Sequence, residues 1–225
     1  MSRRPPQPSP HSASLGNERV ARGDDVVARL GAANIVICGA GAIGANLAEH
    51  LARMGACGQG QLRVVDDDRV EARNLTTQPW QRADVGQLKV KVLATQLFRS
   101  AGLDVDARSV RLTADNAAAL VAGADLVVDA FDNAPSRQVV QDACRRDGLA
   151  CLHVGLAKGY AEVIWDERYT VPPLAGADVC DVGLARSLVV LAAVVGAEAI
   201  AAFVARTERR SFTITLADLR VTPLP

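Results

Sequence analysis

The sequence predicts an α/β fold: a Rossmann-like, largely parallel, doubly wound sheet with antiparallel C-terminal strands and a long apolar helix. Three observations carry this. Short apolar runs alternate with helix-length segments between residues 34 and 156, a glycine-rich turn joins the first run to the helix after it, and the alternation stops beyond residue 156. Strand–helix–strand alternation with short connections brings parallel strands together beneath helices on both faces.

The elements follow in order. Residues 1–17 hold four of the ten prolines and are expected to be a disordered tail, since they bury too little apolar surface to offset the entropy of ordering. One domain is expected over residues 18–225. Val26, Val27 and Leu30 recur at helical spacing and predict a short helix over Asp24–Ala32. Strands are predicted at 34–38, 61–66, 104–110, 125–130 and 150–156; the first, fourth and fifth are almost continuously apolar, as strands covered on both faces are. Helices are predicted between them at 43–54, 89–100, 116–121 and 135–147, with Pro135 in a first turn and Gly55 and Gly148 at stops. Beyond them, strands are expected at 159–165 and 212–216, and residues 171–180 (VPPLAGADVC) read as a surface loop.

Composition bounds the function. Lys and Arg together number 25 and Asp and Glu 25, so no net charge is available to hold a phosphate backbone or an anionic bilayer, and neither nucleic acid nor membrane is an expected partner. Residues 188–205 are apolar except for Glu198; an acid at mid-membrane costs about 2.5–3.5 kcal/mol, so a core or interface helix is expected there. Five cysteines make no disulfide framework, which suits a reducing, cytoplasmic setting.

Gly39, Gly41 and Gly44 form a G-x-G-x-x-G turn between the first predicted strand and helix. The first glycine permits the tight turn, the second lets backbone approach a phosphate, and the third allows close helix–strand packing. Asp66 ends the second strand, where an acid accepts hydrogen bonds from ribose hydroxyls. By itself this pattern favours NAD-linked hydride transfer, with a ligand-free structural turn as the bland alternative. The chain then continues DDDRVEARNLTTQPWQRADVGQLKVKVLA, a long polar loop that an NAD enzyme is not expected to carry here.

The ordered segments GAGAIG, VVDDDRVEARNLTTQ, DVGQLKV and VVDAFDN, followed by Arg137, resemble the ThiF/MoeB/HesA superfamily, the bacterial relatives of ubiquitin-activating enzymes. The resemblance covers roughly residues 34–137. It implies an adenylyltransferase that binds ATP and Mg²⁺ and converts the C-terminal carboxylate of a ubiquitin-like or sulfur-carrier protein, or a peptide, into an acyl adenylate. It also implies a homodimer. On matching positions it assigns Asp66 to the ribose, Asn74 and Gln78 to the triphosphate, Lys89 to the phosphates and Asp132 to the metal, with Asn133 and Arg137 in support. Asp129 is read as structural. The bland counterparts are a surface Lys91 and a helix-capping role for Asp132 and Asn133 ahead of Pro135.

Two departures bear on activity. Thr77 stands where the superfamily pattern NLxRQ has an arginine, and a hydroxyl neither neutralises charge nor makes a two-point contact, so reduced activity is expected unless Arg73 or Arg82 stands in. The arginine that relatives lend to a partner's site has only Arg19 or Arg22 as counterpart. No C-x-x-C pair exists for a structural zinc. Cys180, before the long helix and near Arg186, lies where some relatives keep a reactive cysteine, although Asp181 opposes thiolate formation. His153 is read as a polar residue near a strand end. The rivals to adenylation are an NAD-dependent oxidoreductase and a degenerate, non-catalytic nucleotide-binding scaffold.

Overall fold

The computed structural model describes residues 15–172 and 184–225. Helices α1 (Gly16–Arg22) and α2 (Asp24–Ala32) lead into β1 (Asn34–Cys38), α3 (Ala42–Arg53) and β2 (Gln61–Val65). Two 3₁₀ turns, Ala72–Thr76 and Arg82–Asp84, precede α4 (Lys89–Ala101), β3 (Val105–Arg108), α5 (Ala114–Val121), β4 (Leu126–Asp129) and α6 (Ala134–Asp147). The chain continues through β5 (Cys151–Ala157), β6 (Tyr160–Trp165), a third 3₁₀ turn at Asp166–Arg168, α7 (Arg186–Arg206), β7 (Phe212–Thr215) and β8 (Arg220–Pro223).

The strands form one sheet in the order β3-β2-β1-β4-β5-β6-β7-β8. Pairings from β3 to β5 are parallel and those from β5 to β8 antiparallel, as the sequence predicted. The central strands are covered twice because their alternate residues feed different cores. Ile35, Ile37, Leu62, Val64 and Leu152 pack with apolar residues of α3, α4 and α7. Val36, Cys38, Val65, Val127 and Cys151 pack with α5 and α6 on the opposite face. That double burial produces the nearly unbroken apolar runs of β1 and β4.

Helix α7 lies against α3 and the antiparallel strands, with Leu188, Ala192, Ala193, Ala197 and Ile200 buried. It is long and apolar enough by composition to cross a membrane, yet 56% of its most apolar window is buried inside the fold. Its one acid, Glu198, takes a two-point contact from Arg22, Nη1 at 2.8 Å and Nη2 at 2.6 Å.

Two features depart from expectation, and a third lies mostly outside the described residues. Leu15–Asn17, assigned to the tail, belong to the fold: Leu15 is buried and α1 begins at Gly16. The helix went unread because GNERVAR has no apolar periodicity and buries no residue; its ties are the ion pairs of Arg22. Strand β8 also carries no signal, since all four of its residues are exposed. The predicted loop at 171–180 falls, beyond Pro172, outside the described residues.

Candidate functional site

The sheet reverses its connection sense between β1 and β4, and the glycine turn, Asp66 and the segment after Asp129 all follow the carboxyl ends of strands there. Such switch points are where open α/β sheets bind ligands, because the loops diverge and leave a crevice.

Each glycine of the turn is needed for a different reason. Gly39 has φ +100°, and a Cβ on it would stand 3.1 Å from the Ala130 backbone. A Cβ on Gly44 would fall 1.8 Å from the Gly39 carbonyl oxygen, so this residue sets how closely α3 approaches β1. Gly41 has φ −80° and open space where a Cβ would point, so nothing inside the chain requires glycine there. The open space leaves room for an external ligand to approach the backbone. Gly44→Ala is therefore expected to disrupt the turn, whereas Gly41→Ala should melt within about 1 kcal/mol of wild type and lose nucleotide affinity. Thermal melts paired with ATP titration check both.

Asp66 is only 6% exposed. Its Oδ2 accepts the Ala40 N–H at 2.6 Å and its Oδ1 the Asp68 N–H at 2.8 Å. The predicted ribose acid thus also holds the glycine turn to the end of β2. Burial raises its carboxyl above the ordinary range, and the Lys89 ammonium counters this in part. Lys89, 7% exposed, opens α4 and extends Nζ to within 2.8 Å of Asp68 Oδ2. Burial alone would lower its pKa; Asp66, Asp68 and Asp132 together outweigh burial and keep the ammonium charged. Carboxylate oxygens of Asp66, Asp67 and Asp68 lie within 4.8 Å of one another, and Lys89 is the cation seated on that group.

The loop carrying these acids is ordered by backbone pairing. Val70 N–H donates to Gln87 O, Gly86 N–H to Val70 O and Lys89 N–H to Asp68 O, at 2.8, 2.8 and 3.0 Å. Asp132 is exposed beyond β4, and its charge reaches Lys89. Asn133 caps α6, its Oδ1 accepting the Ser136 N–H at 2.9 Å. Capping is thus a real role for Asn133, while the Asp132 carboxylate accepts the Asn133 amide at 3.4 Å and acts on Lys89 through its charge. The Asp132 carboxylate and solvent access match the hard oxygen donors that Mg²⁺ takes beside substrate phosphates.

Asn74 and Gln78 are tied into their own loop. Asn74 Oδ1 accepts the Glu71 N–H at 2.9 Å, and Gln78 Oε1 accepts the Trp80 indole N–H at 2.6 Å. Arg73 is exposed and pairs with Glu71 at 2.5 Å, and Arg82 is exposed on the second 3₁₀ turn. Arg19 pairs with Asp24 and Arg22 with Glu18 and Glu198, so both candidates for a lent arginine are engaged within their own chain.

Arg137, which the resemblance puts in support of the metal residue, is held among structural partners. It is 8% exposed, donates to Tyr169 Oη at 2.8 Å and to the Val154 carbonyl at 3.0 Å, and lies 3.5 Å from Asp129 Oδ2. Asp129, fully buried, also faces His153 Nδ1 at 2.9 Å and accepts the Phe131 N–H at 3.1 Å. His153 is likewise fully buried; it stacks on Tyr169 at 3.8 Å and reaches Asp166 through Nε2 at 3.2 Å. Sequence reasoning named Asp129, Arg137 and His153 but not this network, in which His153 is a buried residue of β5 and which holds the backbone leading to Asp132. Tyr169 and Asp166 follow β6 with no pattern that singles them out.

Cys38, Cys57, Cys144 and Cys151 are buried, and burial pushes the Cys57 thiol up to about 12. Cys180 lies outside the described residues.

Comparison with known proteins shows the family and the fold. The profile of the ThiF family matches residues 15–213. The SAMP-activating enzyme E1 of Haloferax volcanii is 40% identical over 133 residues, which is 58% of this chain and 48% of that protein. The sulfur carrier protein adenylyltransferase of Thermus thermophilus is 42% identical over 117 residues, covering 51% and 42% respectively. The chain thus spans about half the length of the curated relatives it matches. Among solved structures, E. coli MccB with ATP superposes over 94% of this chain and 72% of its own, with a TM-score of 0.74 and 20% identity, a likeness of fold.

Proposed function

Because the chain belongs to the ThiF family, we propose that it is an ATP-dependent adenylyltransferase acting on the C-terminal carboxylate of a ubiquitin-like or sulfur-carrier protein or peptide. The observation that carries this reading is the charged Lys89 ammonium among Asp66, Asp68 and Asp132, beside a glycine turn with unfilled space at Gly41. Relatives named as sulfur-carrier adenylyltransferases support the substrate class.

In the proposed reaction a carboxylate oxygen attacks the α-phosphorus of ATP, the bond to the bridging oxygen breaks, and pyrophosphate leaves with the electron pair. Two anions must meet, so the barrier is largely electrostatic. The first N–H groups of α3 and the Gly41 backbone receive phosphate oxygens, because a helix N-terminus presents unpaired donors to an anion. Asp66 receives the ribose hydroxyls while holding Ala40. Lys89 moves from Asp68 onto the phosphates, exchanging one anionic partner for another without losing its charge. Asn74 and Gln78 line the loop beside the triphosphate, and Arg73 at its rim is drawn inward by phosphate charge. Asp132, beside Asn133, would hold Mg²⁺, which when bound neutralises phosphate charge. The partly apolar α7 surface serves as a homodimer interface in a cytoplasmic protein, and Cys180 is a candidate acceptor of the activated acyl group.

Carboxylate-dependent ATP–pyrophosphate exchange tests the reading directly. Exchange that appears with ATP, Mg²⁺ and a carrier ending in a free carboxylate is the expected result. ATP binding without exchange across a carrier panel would favour the non-catalytic scaffold, which the threonine at position 77 supports. Tight NAD binding without ATP affinity would overturn the proposal.

A further inference from the structure

Arg186 opens α7 far from the phosphate-turn segment in sequence, yet its Nη1 donates to the Thr77 carbonyl at 2.9 Å. The same carbonyl accepts the Asn46 amide at 3.1 Å, and that amide also donates to the Ala42 carbonyl at 2.6 Å, in the first residue of α3. Two hydrogen-bonded steps thus connect the guanidinium to the helix that follows the glycine turn. Arg186 is exposed, and among the described residues it forms no ion pair, whereas Arg22 and Arg73 each hold an acid. Its position is also electrostatically unfavourable: a cation in the first turn stands against the helix dipole, and that turn contains no acid to offset it. A guanidinium kept there, anchored by one of its five N–H donors, has the others available for an anion.

We propose that Arg186 is a nucleotide-binding residue that grips the polyphosphate of ATP from the α7 side, at the position where the side chain of Thr77 brings no charge. This rests on the adenylation reading and names a further residue of that same site. The guanidinium suits the task because its planar fork contacts two phosphate oxygens at once, which lysine cannot do. Its contact with Thr77 positions the fork before the nucleotide arrives.

The test is calorimetric titration of the full chain with ATP and with AMP, both with Mg²⁺, for wild type, R186A and R186K. R186A is expected to weaken ATP by roughly tenfold or more while AMP, which lacks the outer phosphates, changes less than about twofold, with R186K falling between them for ATP. Equal losses for ATP and AMP would assign Arg186 a purely structural hold on the Thr77 loop and overturn the inference. Unchanged ATP affinity in R186A would overturn it while leaving adenylation standing. A wild-type chain that binds no ATP would overturn the adenylation reading itself, and this inference with it.

Discussion

Replacing Lys89 by methionine is expected to lower carboxylate-dependent ATP–pyrophosphate exchange by roughly 10²–10³-fold in a chain that still folds. Methionine fills the space of the buried lysine stem, so packing changes little. What disappears is the ammonium that pairs with Asp68 and feels the charges of Asp66 and Asp132. Without it, these acids lose their buried counter-charge and face an approaching polyphosphate, and binding suffers along with the chemical step. A pH signature accompanies the loss. Burial already raises the Asp66 carboxyl, and removing Lys89 raises it further. An acid whose folded pKa exceeds its unfolded value contributes stability at low pH and loses it as pH rises through the folded pKa. The K89M chain should therefore lose stability more steeply than wild type as pH climbs above the ordinary carboxylate range. Exchange rates and urea melts from pH 4 to 8 read both effects; an active K89M chain would remove the lysine from the proposed mechanism.

Asp129→Ala is expected to cost about 3–5 kcal/mol of stability, the largest effect of any substitution considered. The carboxylate is fully buried between Arg137 at 3.5 Å and His153 at 2.9 Å, and the arginine is itself almost wholly enclosed. Truncation leaves a buried guanidinium short of its counter-charge and frees the Phe131 N–H, which anchors the turn leading to Asp132. Asp129→Asn should cost less, since one carbonyl oxygen still accepts. Urea titration of the two variants distinguishes charge from geometry: equal losses would mean that the charge, absent from both, matters and that the retained carbonyl oxygen does not.

The core was legible where burial writes a pattern into the chain. Strand β1 was read at its observed bounds because NIVIC is apolar on both faces, and the same reasoning found β4 and β5 to within one residue. The glycine turn was legible because steric demand at Gly39 and Gly44 leaves no other residue acceptable. What escaped notice has no periodicity behind it. Helix α1 is held by the Arg22–Glu198 contact between residues 176 positions apart, and strand β8 pairs through its backbone with every side chain exposed. The contacts around the candidate site residues were not legible. Nothing in the order of letters announces that Asp66 restrains Ala40, that Gln78 serves Trp80, or that Arg186 returns to Thr77.

Strand β8 also bears on whether another strand could add to the sheet on its side. It closes the sheet's order on one side, and an open margin of unsatisfied N–H and C=O groups is a template on which another chain can extend the ladder. Here that margin carries the charged Arg220 and ends on Pro223, which has no N–H to donate. Ladder growth from β8, and with it one route to insoluble fibres, is thereby blunted.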